Sequence, residues 1–246
     1  MHPDMIRRST DQDMQAIRSW LEQECQQGQT NFLVNWSLTE ERHQRGELIV
    51  YIDGASELPV GYQWGGLICP GILEVRPDMR GRGIGRKLVM RRIAQARRRN
   101  ECLLVIQCKP SSSIPFWQKM GFTLRVGGKT EGLAYRILRK RNRRPAGAEP
   151  VDIRVCFYPE ERKYSGDLIA PLHTPVTSAF RLPSGVIRLT ERVFVFPILH
   201  PGADDAVIEI TVAGQCLYLD KAKYSGAERL GVARCQHGFY IDEIRR

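Results

Sequence analysis

The sequence predicts a mixed α/β first half, a mixed sheet with flanking helices, followed by a smaller β-rich second half. Three observations predict it. Up to about residue 140, strand-like and helix-like periods alternate. Beyond residue 150 the apolar residues repeat every second position, as in Ile153, Val155, Phe157 and again in Ile208, Ile210, Val212. Between the two halves, residues 141–150 are charged, poor in apolar residues, and end in Pro and Gly, which reads as a linker. The expected domains are therefore residues 1–140 and residues 151–246.

Each element follows from its local pattern. Residues 6–8 suit a short strand. Thr10 or Asp11 can cap a helix to about Glu24, with Met14, Ile17, Trp20 and Leu21 on one face. Residues 37–43 suit a short helix, and residues 47–52 and 59–64 a hairpin. Residues 71–75 are another strand. Residues 84–100 are a helix, with Gly85, Leu88, Val89, Ile93 and Ala96 inward and arginines outward. The apolar run 102–108 is a buried strand. Residues 114–120 form a short helix closed by Gly121, and residues 122–126 and 133–138 the last two strands. In the second half, residues 186–189, 193–198, 216–219 and 239–241 add strands to the two above. No stretch there has helical periodicity, and the expectation is a small sandwich or barrel.

Composition narrows the function classes. The chain is 42% hydrophobic and 26% charged, ordinary for a globular protein. No run approaches the roughly 18 apolar residues of a membrane span, and the N-terminus has no apolar signal region. The seven cysteines lack metal or redox spacing and read as buried, reduced thiols. A cytoplasmic protein is expected. The formal charge is +10, and residues 151–246 balance 12 basic against 12 acidic residues. The excess lies in the first half, where residues 80–144 hold 19 basic and two acidic residues. Such a field suits a polyphosphate ligand or an acidic or polyanionic partner.

The motif that carries chemistry is Arg80-Gly81-Arg82-Gly83-Ile84-Gly85. It sits between a strand and a helix. Its glycines permit positive φ and close approach of a ligand, and the first amides of the helix lack intrahelical partners. Together they form an anion site suited to a pyrophosphate, with Arg82, Arg86 and Lys87 adding charge. A Walker A loop would need Gly-Lys-Ser/Thr after four spacer residues, which is absent. A dinucleotide fingerprint needs its third glycine one residue later, near a first strand.

These residues resemble the pyrophosphate loop of the GNAT superfamily of N-acetyltransferases, Gln/Arg-x-x-Gly-x-Gly/Ala. The segment Ile114-Pro115-Phe116-Trp117-Gln118-Lys119-Met120-Gly121-Phe122 resembles the family's second signature. The resemblance covers about residues 4–140. It implies that acetyl-CoA, with no metal, binds between the strands at 71–75 and 102–108. Leu73, Val75, Arg80, Gly81, Arg82, Gly83, Ile84, Gly85, Arg86, Ser112 and Phe116 are the implied contacts. It also implies that a primary amine attacks the thioester directly, the thioester carbonyl being polarised by a backbone amide near Val75. An amine attacks only when neutral, so a base must take its proton. Glu74 is the candidate, on the strand at 71–75. The alternative for Glu74 is an exposed carboxylate paired with Arg76 or a helix arginine. Glu40, Glu41 and His43 lie where the family places substrate-binding segments. Many members have a tyrosine, the acid for the leaving thiolate, where this chain has Trp117, and indole cannot supply that proton. Ser111, Ser112, Ser113 or water would then do so.

Other patterns carry less. His173, His200 and His237 match no compact metal spacing. Arg91, Arg92, Arg97, Arg98 and Arg99 read first as a solvated helix face. A nucleic acid such as tRNA is the less favoured partner, because no aromatic residues interleave the arginines. The alternative to an enzyme is a non-catalytic acyl-CoA- or nucleic-acid-binding module whose β-rich half is an interaction domain.

Overall fold

The computed structural model describes residues 5–65, 67, 70–125, 132–165, 169–236 and 238–245. The chain divides into two compact units, one of Met1–Arg99 with Leu103–Arg136, the other of Asn100–Cys102 with Ile137–Arg246.

The first unit begins with β1 (Met5–Arg8) and α1 (Asp11–Gln26). Thr10 caps α1 in a capping box with Asp13, so the helix starts where its sequence offers a hydroxyl and a carboxylate three residues apart. Then come α2 (Trp36–Gln44), β2 (Ile49–Ile52), β3 (Pro59–Trp64), β4 (Ile72–Val75) and α3 (Ile84–Arg98). Next are β5 (Leu103–Gln107), α4 (Ile114–Lys119), β6 (Thr123–Leu124) and β7 (Leu133–Ile137). β1 to β4 form one antiparallel sheet in sequence order. Its two faces bury different clusters. Trp20, Tyr62, Trp64 and Ile72 pack on the α1 side, and Tyr51, Val60, Ile84 and Leu88 on the α3 side. β5, β7 and β6 make a second, three-stranded sheet.

The expected outward arginine face of α3 has one exception. Arg92 is buried, and its Nη2 donates to Glu47 O at 2.6 Å and to Gln63 O at 3.4 Å. Those strand-end carbonyls give a buried guanidinium acceptors that a solvated face would not need.

The second unit is a single antiparallel sheet of seven strands. They are β8 (Glu149–Tyr158), β9 (Val176–Arg181), β10 (Ile187–Val195), β11 (Val207–Val212), β12 (Gln215–Lys221), β13 (Val232–Cys235) and β14 (Gly238–Ile244), with α5 (Ser225–Arg229) between β12 and β13. The order is β12-β11-β8-β9-β10-β14-β13. Residues from every strand and Ala227 of α5 share one core, so the sheet wraps as a half-barrel and is not a sandwich. The segments expected as two strands, 186–189 and 193–198, are one strand, β10, whose register against β14 shifts between Arg188 and Val193. The stretch 141–150, whose composition suggests a linker, is paired in this unit. Arg141 bridges Glu191, Asn142 N–H donates to Thr190 O at 2.8 Å, and β8 begins at Glu149.

Arg192 is the most heavily bonded buried charge of this unit. Its guanidinium grips Asp242 with two bonds of 2.9 and 2.7 Å, lies 4.2 Å from the Tyr240 ring, and donates to Asn100 O at 3.0 Å and Cys102 Sγ at 3.3 Å. Burial pushes the Asp242 carboxyl up, but hydrogen bonds from Arg192 and Lys140 outweigh it and hold it below its ordinary value. Asp242→Ala leaves the guanidinium buried without its counter-ion, so it should destabilise the protein by about 3–5 kcal/mol in denaturant unfolding.

No disulfide forms among the described residues. Cys102, Cys108 and Cys156 are buried as expected, but Cys25 and Cys216 are exposed. Cys69 and His237 lie outside the described residues. No described helix is long and apolar enough to cross a membrane.

Candidate active site

The site is built from the outer edge of β4, the loop to α3, and α4. Arg76 N–H donates to Val60 O on β3, so the alternating backbone turns the groups of Leu73 and Val75 toward the free edge. Val75 O on that edge accepts Arg80 Nε at 2.9 Å. β4 and β5 belong to different sheets, and Val105 N–H of β5 donates to Leu67 O, in the loop before β4, at 3.1 Å.

The loop glycines divide into two kinds. Gly81 and Gly83 have φ of +78° and +80°, and nothing lies within 4 Å of where a Cβ would stand. They form an open cradle whose shape only glycine adopts without strain. Gly83 is also the N-cap of α3, so the free amides of the helix start there. Gly85, expected to share this role, does not have positive φ. It is glycine because a Cβ would stand 3.3 Å from the Phe116 ring of α4. Ile84 buries its side chain on the α3 side of the sheet, leaving its backbone to the loop. Arg82 and Arg86 are exposed beside the cradle, whereas Lys87 donates to Tyr51 OH at 2.9 Å.

α4 packs through its aromatics. Trp117 is only 8% exposed and meets Phe116 and Phe122 edge-on, with ring centroids 5.0 and 5.3 Å away. Trp117→Ala should destabilise the protein by about 3–5 kcal/mol, and Trp117→Phe by much less, as thermal melts of both will show. Ser112 is exposed, while the Ser113 hydroxyl is buried without a partner among the described residues.

Glu74 is not an exposed carboxylate. It is 6% exposed, on the α1 side of the sheet, opposite Tyr62 across the β3–β4 register. Tyr62 OH donates to Glu74 Oε2 at 3.0 Å. Burial pushes the Glu74 carboxyl up to about 7, with the Glu24 charge adding to the rise. Hydrogen bonds from Tyr62 and the Phe32 N–H, and the charge of Arg80, oppose it. Arg76, the alternative partner, pairs with Asp78 at 2.7 Å. Sequence patterning hides this because a lone Glu in Ile-Leu-Glu-Val reads as the exposed member of an alternating strand. Its phase with Ile72 is the available signal.

The other candidates belong to other elements. Glu41 pairs with Arg45 at 2.6 Å. His43 is held between Ser9 Oγ at 2.7 Å and Asp11 Oδ1 at 2.9 Å, and Glu40 is exposed. The rings of His173 and His200 are 6.2 Å apart, but His173 Nε2 and His200 Nδ1 each accept a backbone N–H, at 3.1 Å. Among the described residues no group of three or more His, Cys, Asp or Glu side chains could hold a metal.

Comparison with known proteins gives a domain match. Residues 38–124 match the model of the acetyltransferase (GNAT) domain. Similar solved structures include an N-acetyltransferase from Staphylococcus aureus (20% identity, 54% of this chain and 94% of that one, TM-score 0.40). A putative acetyltransferase from Salmonella typhimurium, solved with its cofactor acetyl-CoA, shares 21% identity over 58% of this chain and 98% of that one, with TM-score 0.40. A ribosomal-protein-alanine N-acetyltransferase from Brucella melitensis shares 23% identity over 55% of this chain and 99% of that one, with TM-score 0.38. No curated protein matches the chain. The matched segment, residues 38–124, spans β4, the loop and α4, and it is this segment that is similar to a GNAT acetyltransferase domain.

Proposed function

We propose that the chain transfers the acetyl group of acetyl-CoA to a primary amine by direct attack, with Glu74 as the base. The observation that carries this reading is the position of Glu74. It is a buried carboxyl poised near neutrality, on the strand whose free edge leads into the glycine cradle. The cradle suits the pyrophosphate. The loop and first turn of α3 supply amides, Arg82 and Arg86 supply charge, and the edge groups of Leu73 and Val75 can pair with the amide-bearing arm. Phe116, against Gly85, and Ser112 lie on the α4 side. Glu74 takes one proton from the incoming ammonium, its N–H bond breaking as the carboxyl O–H forms, and leaves the nitrogen lone pair free to attack. The attacking nitrogen bonds to the acetyl carbon, the C–S bond breaks, and the nitrogen's surplus proton passes through water or a serine of 111–113 to the thiolate, since Trp117 packs and carries no proton.

The test uses the whole chain. Acetyl-CoA at a hundred times its Kd should stabilise the fold by about 2.7 kcal/mol. Free thiol should then appear only when an amine is added. Binding without thiol release across a broad amine panel would leave a non-catalytic acyl-CoA module as the reading.

A further inference from the structure

Glu24 lies in the last turn of α1 and is 7% exposed. Its Oε2 accepts from Asn31 Nδ2 at 3.0 Å, and Asn31 is itself fixed by donating to Leu21 O at 2.8 Å. Its Oε1 is enclosed and has no donor among the described residues. A buried carboxyl oxygen without a donor destabilises a fold, and an apolar group would fit such a place better. Glu24 accepts from Asn31 and Glu74 accepts from the N–H of the next residue, Phe32, so adjoining residues hold both carboxyls, and the charge of Glu24 is felt at Glu74 and Tyr62. Trp20 stands next to Tyr62, with ring centroids 6.1 Å apart, so the carboxyl pair sits against aromatic surface.

We propose that Glu24 and Glu74 together form a receptor for the ammonium group of the acceptor, which is an alkylammonium compound with no carboxylate on the carbon bearing the amine. The proposal rests on the acetyl-transfer reading. An ammonium offers three donors around one centre, enough for the open Glu24 oxygen and for Glu74 at once. The neighbouring rings favour the cation further. The charged groups facing Glu74 are Glu24 from α1 and Arg80 from the loop, with Tyr62 from β3. An α-amino acid would bring its own carboxylate against two others, which rejects it. Glu24 places the ammonium, and Glu74 removes its proton.

Calorimetry with phenethylamine and phenylalanine separates the alternatives, on the full chain with and without CoA. Phenethylamine should bind at least about tenfold more tightly. In Glu24→Gln that preference should weaken, while the melting temperature holds or rises, because the amide keeps the Asn31 bond and has no charge to bury. Equal binding of the two ligands by the wild type, an undiminished preference in Glu24→Gln, or a loss of stability in that variant would each overturn the proposal. Failure of the broader reading looks different. Glu24-dependent preference without thiol release from acetyl-CoA would sink acetyl transfer and keep the receptor. Equal acetylation of both compounds would do the reverse.

Discussion

Glu74→Gln should lower amine acetylation by about 10²–10⁴, the range for loss of a positioned base, while making the protein more stable above neutral pH. Both effects have one origin. The Glu74 carboxyl is raised from 4.5 to about 7, chiefly by burial. Its protonated form therefore suits the fold better than its ionised form. The stability it contributes is fully present below its unfolded value and is lost as pH rises through 7. That interval corresponds to about 3 kcal/mol. Glutamine cannot ionise, so denaturant curves of variant and wild type should nearly coincide at pH 4 and separate by about 3 kcal/mol at pH 8. The wild-type rate should rise with pH through about 7, as the carboxylate forms, and the variant should lack that limb. Matching rate profiles for the two proteins would remove Glu74 from the chemistry.

Gly83→Val should abolish acetyl-CoA binding and leave the fold standing. Valine at φ +80° costs about 1–3 kcal/mol in backbone strain. Nothing lies within 4 Å of the new Cβ, so the protein itself is not crowded. A ligand would be, because the side chain fills the cradle. Loss of two charge-assisted hydrogen bonds, each worth about 1.5–3 kcal/mol, weakens binding by about a hundredfold or more. Gly28→Val is the matched control, with φ +75° and equally open surroundings, far from the loop in sequence. Calorimetry should show binding lost in the first variant and kept in the second. Retention in both would make the loop a mere turn.

The glycine loop, α1, α3 and the early strands were legible because each has a strong local period or a backbone demand that one residue type meets. The first signature was equally plain, since alternate glycines before a helix leave few other readings. What escaped the sequence depends on distant partners. β9 (Val-Thr-Ser-Ala-Phe-Arg) has too few apolar residues to read as a strand and owes its pairing to β8 and β10 on either side. β10 was divided at Thr190-Glu191-Arg192 because a charged tripeptide looks like a turn. Arg192 is buried only because Asp242, fifty residues on, receives it. α5 has five residues, too few for any helical period. The same limit hid the surroundings of the two buried carboxyls. Burial of Glu74 follows from Tyr62 and α1, and the unsatisfied oxygen of Glu24 is visible only once the helix lies on the sheet.

The anchoring of Arg92 bears on kinetics. One guanidinium, midway along α3, ties the helix to carbonyls just before β2 and in β3. The helix can then neither slide nor rotate on the sheet without losing both bonds, so the Gly83 end is held in its final shape before any anion arrives. Little ordering remains to be done on encounter. Ligand association should therefore run at a rate set by collision and orientation, and differences among ligands should appear as residence times.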